Sequence, residues 1–519
     1  MHTTSGIIFL LSFSVVIVMN SCNSPEKFEL QEASFADIHQ AFSSGACTCE
    51  SLVKNYIKRI ETFDQPSKLN AITLINPEAL DRAIELDKEY KETGKLRPLH
   101  CIPLIVKDNY DVAGLPTTAG SLTLKDNISI KDAWQVRKLK EAGAIVLARS
   151  NMAEWAFSPK VTISSTAGET LNPYNPEHVP AGSSGGTAAA VAANFGAAGL
   201  GSDTGNSIRG PSSHNALVGF RSTLGLTSRQ GIIPLYVRND VGGPMARTVE
   251  DAVRILEVIA GYDPDDPVTE YSKGKVPENY MQYLDKDGLK GARIGVLRLL
   301  SEVDPDAEIH ALFEQAIEDL QKAGAIIIDP IDIPDFDSLK QNQWCPMFRH
   351  DINAYLTSLG EAAPVKNLEE ILSSGQYSGY IKELLEYFLR ATDTLQLHED
   401  GSPCSDPYTD THRIAFRDAI TAAMATYDVI ALIYPSWNNP PAKVGDMEGY
   451  KGDNSQVIAP HTGQPAFTVP MGYTTGNLPA GLQFTGRMFD EPTLIRIAYA
   501  YEQATMHRKS PELFPALKE

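Results

Sequence analysis

The chain has 519 residues, of which 43% are hydrophobic, 21% charged and 8% aromatic, and its formal net charge at pH 7 is −20. This composition is ordinary for a globular protein and excludes a disordered chain as the starting interpretation. An acidic chain without a basic stripe is unlike a nucleic-acid-binding protein, so no nucleic-acid partner is predicted. The length permits several domains, but a single large α/β domain also reaches this size.

The N-terminus has the pattern of an export signal. The apolar run from Ile7 to Met19 has thirteen residues, too few for a membrane-spanning helix, which needs about 20. The run leads into Ser21 and Cys22, which resembles a bacterial lipoprotein cleavage site. This resemblance implies a signal peptide at residues 1–21, a lipid on Cys22, and a polar tether at residues 22–30. The protein is therefore expected to be exported and to face the periplasm or cell exterior, anchored to the membrane only by its lipid. A plain secretory leader and an uncleaved anchor are the alternatives.

From residue 31 to residue 519, helices alternate with short apolar strands, without a repeat array. The first helix is indicated by apolar residues that share one helical face, namely Leu52, Val53, Tyr56, Ile57 and Ile60. Asp132 is predicted to cap another helix, which stops at Gly143 ahead of a buried strand over residues 145–147.

The later part of the chain repeats this construction. Thr248 is predicted to begin a capping box for a helix that ends near Gly261. Asp304 and Pro305 are predicted to start a helix that ends at Gly324, ahead of a strand over residues 326–328. Further strands are expected at residues 294–297, 429–433 and 466–469. This alternation indicates an α/β fold with a largely buried sheet, whose strand order the periodicity does not give.

The cysteines that follow Cys22 do not predict a complete disulfide framework. They are Cys47, Cys49, Cys101, Cys345 and Cys404. An odd number of cysteines cannot all pair within one chain. We expect buried or free thiols at all five positions, although export would allow a pair to oxidise.

Two clusters of glycine and serine present hydroxyl groups on a compact backbone. They lie at residues 181–187 and 201–210. Such backbone can direct several N–H groups at one point, as an oxyanion requires, but each cluster taken alone is more typical of a loop whose glycines serve turns. Residues 182–186 also fit the G-x-S-x-G nucleophile elbow. That elbow follows a buried strand, which the proline-rich residues 172–180 do not predict.

A serine nucleophile needs a base, and two residues are candidates. Lys107 ends an apolar run, and a buried lysine can lose its proton and act as a base near neutral pH. The alternative for Lys107 is an exposed strand end paired to Asp108. His214 is the other candidate, with a solvated loop histidine as its alternative. The histidines have no zinc-binding spacing and no nucleotide-binding motif occurs, so no metal and no cofactor are predicted.

Taken in this order, the segments resemble the amidase signature family of serine hydrolases. The similarity covers nearly the whole chain from about residue 31. It rests on six strings, at residues 103–108, 182–186, 201–209, 219–225, 243–248 and 481–487. The resemblance implies one large amidase-signature domain over residues 31–519, of class α/β, with a mixed sheet covered by helices on both faces.

The resemblance also implies a Ser-Ser-Lys triad and an acyl-enzyme. Ser207 is the expected nucleophile, Ser183 the proton relay 24 residues before it, and Lys107 the base. Ser183 is expected to follow a cis peptide bond and to bridge Lys107 and Ser207. The backbone N–H groups expected to bind the oxyanion belong to Thr204, Gly205, Asn206 and Ser207.

The chain departs from the family pattern at two places. Asn206 stands where glycine is usual, and residues 221–223 are Arg-Ser-Thr where Lys-Pro-Thr is commoner. Asparagine tolerates left-handed backbone better than most residues and keeps its N–H. The oxyanion hole is therefore expected to survive, while the Asn206 side chain narrows the pocket.

The expected function is hydrolysis of a small-molecule or peptide carboxamide to an acid and ammonia or an amine. One alternative is the glutamine-hydrolysing subunit of a tRNA-dependent amidotransferase, against which the leader argues. The other is a catalytically inactive, surface-anchored binding protein, against which the intact Lys107, Ser183 and Ser207 argue. Few matching strings lie in residues 270–440, which shape the substrate pocket in this family, so the sequence defines neither the substrate nor the oligomeric state.

Overall fold

The computed structural model describes His2 and residues 28–391, 397–398 and 400–518. The predicted signal peptide, Cys22 and most of the predicted tether lie outside these residues. Phe28 and Leu30 pack against the main hydrophobic core, so the packed body includes the last residues of that tether. Among the helices described, none has the length and apolar character needed to cross a bilayer.

Within the described residues, eleven strands form one mixed sheet and two short strands form a separate hairpin. The strands are β1 (Ile72–Ile75), β2 (Pro103–Lys107), β3 (Ile145–Ser150), β4 (Ile163–Ser164), β5 (Gly168–Glu169), β6 (Ala198–Asp203), β7 (Val218–Arg221), β8 (Val241–Ala246), β9 (Arg293–Val296), β10 (Ile326–Ile328), β11 (Ala431–Pro435), β12 (Ala466–Tyr473) and β13 (Pro479–Thr485). Their order in the large sheet is β1-β3-β2-β6-β8-β7-β12-β13-β11-β9-β10. The neighbours β3, β2 and β6 are parallel, as are β11, β9 and β10, and the other pairs are antiparallel.

Helices pack around this sheet. They are α1 (Phe35–Ser44), α2 (Cys49–Phe63), α3 (Ala79–Thr93), α4 (Trp134–Glu141), α5 (Gly185–Ala192), α6 (Arg209–His214), α7 (Val249–Ile259), α8 (Arg298–Ser301), α9 (Ala307–Lys322), α10 (Phe336–Leu339), α11 (Phe348–Ser358), α12 (Leu368–Ser374), α13 (Lys382–Arg390), α14 (Thr411–Thr426), α15 (Ala459–Thr462) and α16 (Glu491–Thr505). Every residue of β2, β3, β6, β7 and β8 is buried. Strands buried on both sides require cover on both faces of the sheet. The predicted single α/β domain is therefore confirmed.

The predicted cap at Asp132 is wrong. α4 begins at Trp134 and has Ala133 as its N-cap residue. The Asp132 carboxylate instead accepts hydrogen bonds from the Ala113 N–H at 2.9 Å and from Lys140 Nζ at 2.8 Å. These partners hold the side chain away from the free N–H groups of the first helical turn.

Of the other two predicted helix starts, one is displaced. Thr248 caps α7, because its hydroxyl accepts a hydrogen bond from the Asp251 N–H at 3.1 Å. α9 has its N-cap at Asp306, two residues after the predicted one. The Asp306 carboxylate accepts the Glu308 N–H at 2.9 Å, which fixes the start of the helix there.

Four of the five described cysteines form disulfides, Cys49–Cys101 and Cys345–Cys404. The expectation of free or buried thiols is wrong for these four and holds for Cys47. The partners are 52 and 59 residues apart in the sequence, so the fold rather than local spacing brings them together. The first disulfide joins the start of α2 to the residues before β2. The second joins the residues before α11 to a loop after α13.

Replacing the first disulfide by Cys49→Ala with Cys101→Ala is expected to lower the free energy of unfolding by about 2–4 kcal/mol. The cross-link restricts the unfolded chain over a separation of 52 residues. Urea unfolding followed by tryptophan fluorescence measures this difference. Cys47→Ser is the control, because that thiol is unpaired. Equal unfolding midpoints for the double variant and the control would contradict the assigned disulfide.

Candidate active site

Lys107 is the last residue of β2, and its side chain has no exposed surface. Its Nζ lies 2.7 Å from Ser183 Oγ, 2.9 Å from Ser202 Oγ and 3.3 Å from the Ser202 carbonyl oxygen. Burial lowers the pKa of Lys107 to about 7, and the carboxylates of Asp240 and Asp203 partly oppose this effect. An amine with this pKa is substantially neutral at physiological pH and can accept a proton.

The alternative for Lys107, an exposed strand end paired to Asp108, is wrong. Asp108 forms its ion pair with the buried Arg149 of β3 at 3.2 Å and also accepts a hydrogen bond from the Thr118 hydroxyl. In the part of the chain that the structure describes, no carboxylate forms a salt bridge with Lys107. The amine therefore faces serine oxygens rather than a counter-ion.

Ser183 precedes α5 and follows a cis peptide bond from Gly182, as the family resemblance implies. A Cβ at Gly182 would overlap the carbonyl oxygens of Ser158 and Val161, so close packing requires glycine there. Residues 172–181 form no strand. The G-x-S-x-G match at residues 182–186 is therefore not a nucleophile elbow.

Residues 204–208 connect β6 to α6, and we call them the nucleophile loop after the role that the family resemblance implies for Ser207. The loop residues that line the neighbouring cavity are Thr204, Gly205, Asn206 and Ser207. In the described chain, the backbone N–H groups of Gly205, Asn206 and Ser207 donate to no protein acceptor. Three unpaired N–H groups beside a serine hydroxyl can bind a negatively charged oxygen.

The Ser207 hydroxyl donates to Asn206 Oδ1 at 3.4 Å. Among the described residues, no hydrogen bond joins Ser207 to Ser183, so of the two expected links only that between Lys107 and Ser183 is present. Asn206 has a negative φ, and this position therefore does not need the left-handed conformation that asparagine tolerates. Its side-chain amide donates to the Pro159 carbonyl at 3.3 Å, which holds the side chain on the cavity wall.

One buried carboxylate holds the nucleophile loop. Asp203 Oδ2 accepts hydrogen bonds from Arg209 Nε at 3.0 Å and from the Ile208 N–H at 3.2 Å, while Oδ1 pairs with Arg221 Nη1 at 2.9 Å. Burial alone would raise the pKa of Asp203, but Arg209 and Arg221 outweigh this effect and hold it at about 2. The carboxylate is therefore ionised and ties both ends of the loop to the sheet.

His214 is neither a base nor a solvated loop residue. It is buried, and its ring packs against those of Trp437 and Tyr450, with centroid distances of 4.9 and 5.7 Å. Burial lowers the pKa of His214 to about 3. It does not line the cavity at Ser207 and is part of the packed core.

A cavity of about 410 Å³ opens at Ser207. Its wall is mainly aromatic and aliphatic, and Phe157 packs against Phe348 and Phe388 with ring centroids 4.6 and 5.6 Å apart. None of the described lining residues is charged, and Asn206 and Gln456 provide side-chain amides. The cavity can hold an uncharged apolar group next to the nucleophile loop.

The sequence did not reveal the residues of this aromatic wall. Phe348 and Phe388 belong to α11 and α13, where the apolar spacing is that of any amphipathic helix. Cys345 also lines the cavity, so the second disulfide is part of its wall. No local signal distinguishes these residues from core residues before the fold brings them to Ser207.

Comparison with known proteins identifies the class. Residues 51–495 match the family model described as amidase. A probable amidase of Arabidopsis thaliana is 33% identical over 98% of this chain and 97% of its own length. The A component of the glutamyl-tRNA(Gln) amidotransferase of Alkaliphilus metalliredigens is 32% identical over 92% of this chain and 97% of its own length. The chain therefore belongs to the amidase signature family.

The fold comparison points the same way. The peptide amidase of Stenotrophomonas maltophilia is 35% identical and superposes with a TM-score of 0.83, over 93% of this chain and 99% of that chain. An amidase family protein of Bacillus anthracis is 34% identical, with a TM-score of 0.81 over 93% of each chain. The protein is an enzyme that hydrolyses amide carbon–nitrogen bonds.

Proposed function

We propose that the enzyme hydrolyses neutral carboxamides with an apolar or aromatic acyl group, including C-terminally amidated peptides, through Lys107, Ser183 and Ser207. The observation that carries the substrate class is the aromatic cavity that opens at Ser207, whose described lining residues include no charged side chain. Apolar surface in the substrate gains free energy when it enters such a cavity, whereas a charged group loses its hydration. The likeness to a peptide amidase supports amidated peptides within this class.

In the proposed first half-reaction, the Ser207 hydroxyl turns from Asn206 towards Ser183 and attacks the amide carbonyl carbon. Ser183 accepts the Ser207 proton and passes its own proton to the neutral Lys107, 2.7 Å away. The negative charge develops on the carbonyl oxygen. The backbone N–H groups that bind this oxygen are those of Thr204, Gly205, Asn206 and Ser207.

The relay then runs in reverse to complete the first half-reaction, and hydrolysis of the resulting ester is the second. Ser183 donates a proton to the departing nitrogen and recovers one from Lys107, which leaves an ester between Ser207 and the acyl group. A water molecule then attacks this ester while Ser183 and Lys107 take up its proton, and Ser207 recovers its hydrogen when the acid leaves. The net products are a carboxylic acid and ammonia or an amine.

The cavity favours this proposal over glutamine hydrolysis in an amidotransferase. Relatives of that class are as similar in sequence as the amidases, so identity does not separate the two functions. Free glutamine carries an ammonium and a carboxylate group, and both lose hydration on burial unless the protein supplies opposite charges. The described wall of the cavity supplies none.

Ser207→Ala, Ser183→Ala and Lys107→Met are each expected to lower kcat by about 10³-fold or more, because the three groups act as a unit. Ammonia release from N-acetylphenylalaninamide measures the effect. In the wild type, kcat/KM is expected to rise with pH through about 7, because Lys107 must be neutral to act as the base.

Ser184→Ala is the matched control for this series. Ser184 is the buried neighbour of Ser183, but its hydroxyl donates to the Ser202 carbonyl at 3.3 Å and not to Lys107. This variant is expected to retain most of the activity. Unchanged turnover in Ser207→Ala would exclude Ser207 as the nucleophile.

Phe388→Ala is expected to lower kcat/KM by about tenfold or more for aromatic amides and much less for propionamide, because it removes apolar wall that only the larger substrate contacts. Parallel assays of the two amides and glutamine measure the selectivity. Phe489→Ala serves as control, since Phe489 is a partly buried aromatic residue outside the cavity. Preference of the wild type for glutamine would contradict the proposed substrate class.

We also propose that the enzyme is exported and held at the membrane by a lipid on Cys22. The apolar run before Cys22 supports export, and the two disulfides suit an oxidising compartment. Cys22→Ser is expected to move the protein from the membrane fraction to the supernatant after centrifugation and to abolish labelling by radioactive fatty acid. Wild-type protein found in the cytoplasm with its thiols reduced would contradict this location.

A further inference from the structure

Asp240 connects the nucleophile loop to another part of the cavity wall. It directly precedes β8 and is 6% exposed. Its Oδ1 accepts a hydrogen bond from the Thr204 hydroxyl at 2.5 Å, and its Oδ2 accepts the N–H groups of Leu235 at 3.0 Å and Tyr236 at 3.1 Å. All three partners line the cavity at Ser207. One carboxylate therefore fixes the start of the nucleophile loop relative to residues 235–236.

The hydrogen-bond donors to Asp240 are all neutral, and the described residues include no salt-bridge partner for it. Asp203 differs in this respect, because it forms salt bridges with Arg209 and Arg221. Arg229, another cation in this region, is paired with Asp266 at 2.5 Å. Asp240 therefore has no ion-pair partner of its own in the described chain; burial raises its pKa, and the hydrogen bonds from Thr204, Tyr236 and Leu235 oppose that rise.

The titratable and charged groups that face Asp240 come from several elements. They are Lys107 on β2, Tyr110 after it, Arg221 on β7, Arg229 in the following loop and Asp351 on α11. Lys107 is the one among them whose charge changes in the proposed relay. Its ammonium forms in a fully buried site, where an opposite charge has a large effect because water does not screen it. Lys107 contacts the Ser202 hydroxyl at 2.9 Å, and Asp240 accepts the hydroxyl of Thr204, two residues further along the chain. Alternate residues of an extended chain point to the same side, so the carboxylate lies on the side of the amine, and its charge favours the ammonium.

We infer that Asp240 is a positioning residue of the reaction, which holds Thr204 at the start of the nucleophile loop and stabilises Lys107 once Lys107 has taken the proton. The inference rests on the proposed role of Lys107 as the base. With Lys107 neutral, Asp203 and Asp240 balance the two guanidinium groups of Arg209 and Arg221. The proton that Lys107 accepts adds a positive charge, which Asp240 attracts directly through the protein interior.

Asp240→Asn tests the charge with little change in shape. The asparagine oxygen can still accept the N–H groups of Leu235 and Tyr236, and its amide can donate to the Thr204 hydroxyl. Loss of the negative charge disfavours the protonated amine and so lowers the pKa of Lys107. The rise of kcat/KM with pH, which we call the acid limb of the profile, is therefore expected to move to lower pH by about one unit. At the pH plateau kcat is expected to fall about tenfold, because the base is weaker and its ammonium is less stabilised. KM for an apolar amide is expected to stay close to that of the wild type.

Two further variants separate the charge from the hydrogen bonds. Thr204→Val removes the bond to Asp240 but keeps the carboxylate, so it is expected to lower kcat without moving the acid limb. Asp351→Asn is the matched control. Asp351 is a buried carboxylate that accepts the Val237 N–H at 2.9 Å, one residue after the wall residue Tyr236, and among the described residues it forms no hydrogen bond with Thr204. Its acid limb is expected to coincide with that of the wild type.

An acid limb in Asp240→Asn that coincides with the wild-type limb would overturn the inference. A wild type without an acid limb, or an active Lys107→Met variant, would instead contradict the proposed function. Circular dichroism reports whether each variant is folded. If Asp240→Asn fails to fold, Asp240→Ser provides the same comparison, because it also removes the charge. Asp240→Glu keeps the charge and is expected to retain the wild-type acid limb.

Discussion

The burial of the Lys107 amine is the constraint on which the rest of the site depends. A lysine without exposed surface is stable when its amine loses the proton or gains a counter-charge. The nearest candidate counter-ion in sequence, Asp108, directly follows β2 and is paired with Arg149. The oxygens of Ser183 and Ser202 surround the nitrogen instead. The interior position of β2 in the sheet therefore turns an ordinary lysine into a group that can accept a proton from a serine.

The buried ions around this amine are arranged so that their charges nearly cancel. Removing ions from water is unfavourable. Deleting one partner of a buried ion pair typically lowers the stability by about 3–5 kcal/mol, because the other charge is left buried and unpaired. Asp203 draws Arg209 and Arg221 together, and the geometry that results is that of the nucleophile loop. In the proposed mechanism, stability and catalysis depend on the same carboxylate, since a loop that binds an oxyanion through its N–H groups must not move when charge develops.

The sequence predicted the features that local spacing determines. Apolar periodicity located α2 and β3, and the glycine clusters marked both serines. Features that depend on distant contacts were not predictable: the order of the strands, the partners of Cys345 and Cys49, and the bond between Thr204 and Asp240, which are 36 residues apart. Whether Lys107 was buried or exposed could not be decided either, because burial depends on the strands that become neighbours of β2.

In the proposed mechanism, chemistry and selectivity come from different parts of the chain. Lys107 ends β2, Ser183 precedes α5 and Ser207 lies between β6 and α6. In contrast, four aromatic residues of the cavity wall lie within the region that carries few family strings, namely Trp344, Phe348, Tyr387 and Phe388. The disulfide Cys345–Cys404 joins the two ends of the segment that bears this wall. It restrains the wall without contacting the proposed relay. An oxidising location would therefore preserve the shape of the apolar cavity, and so the selectivity of the enzyme, while the buried amine on β2 stays independent of that bond.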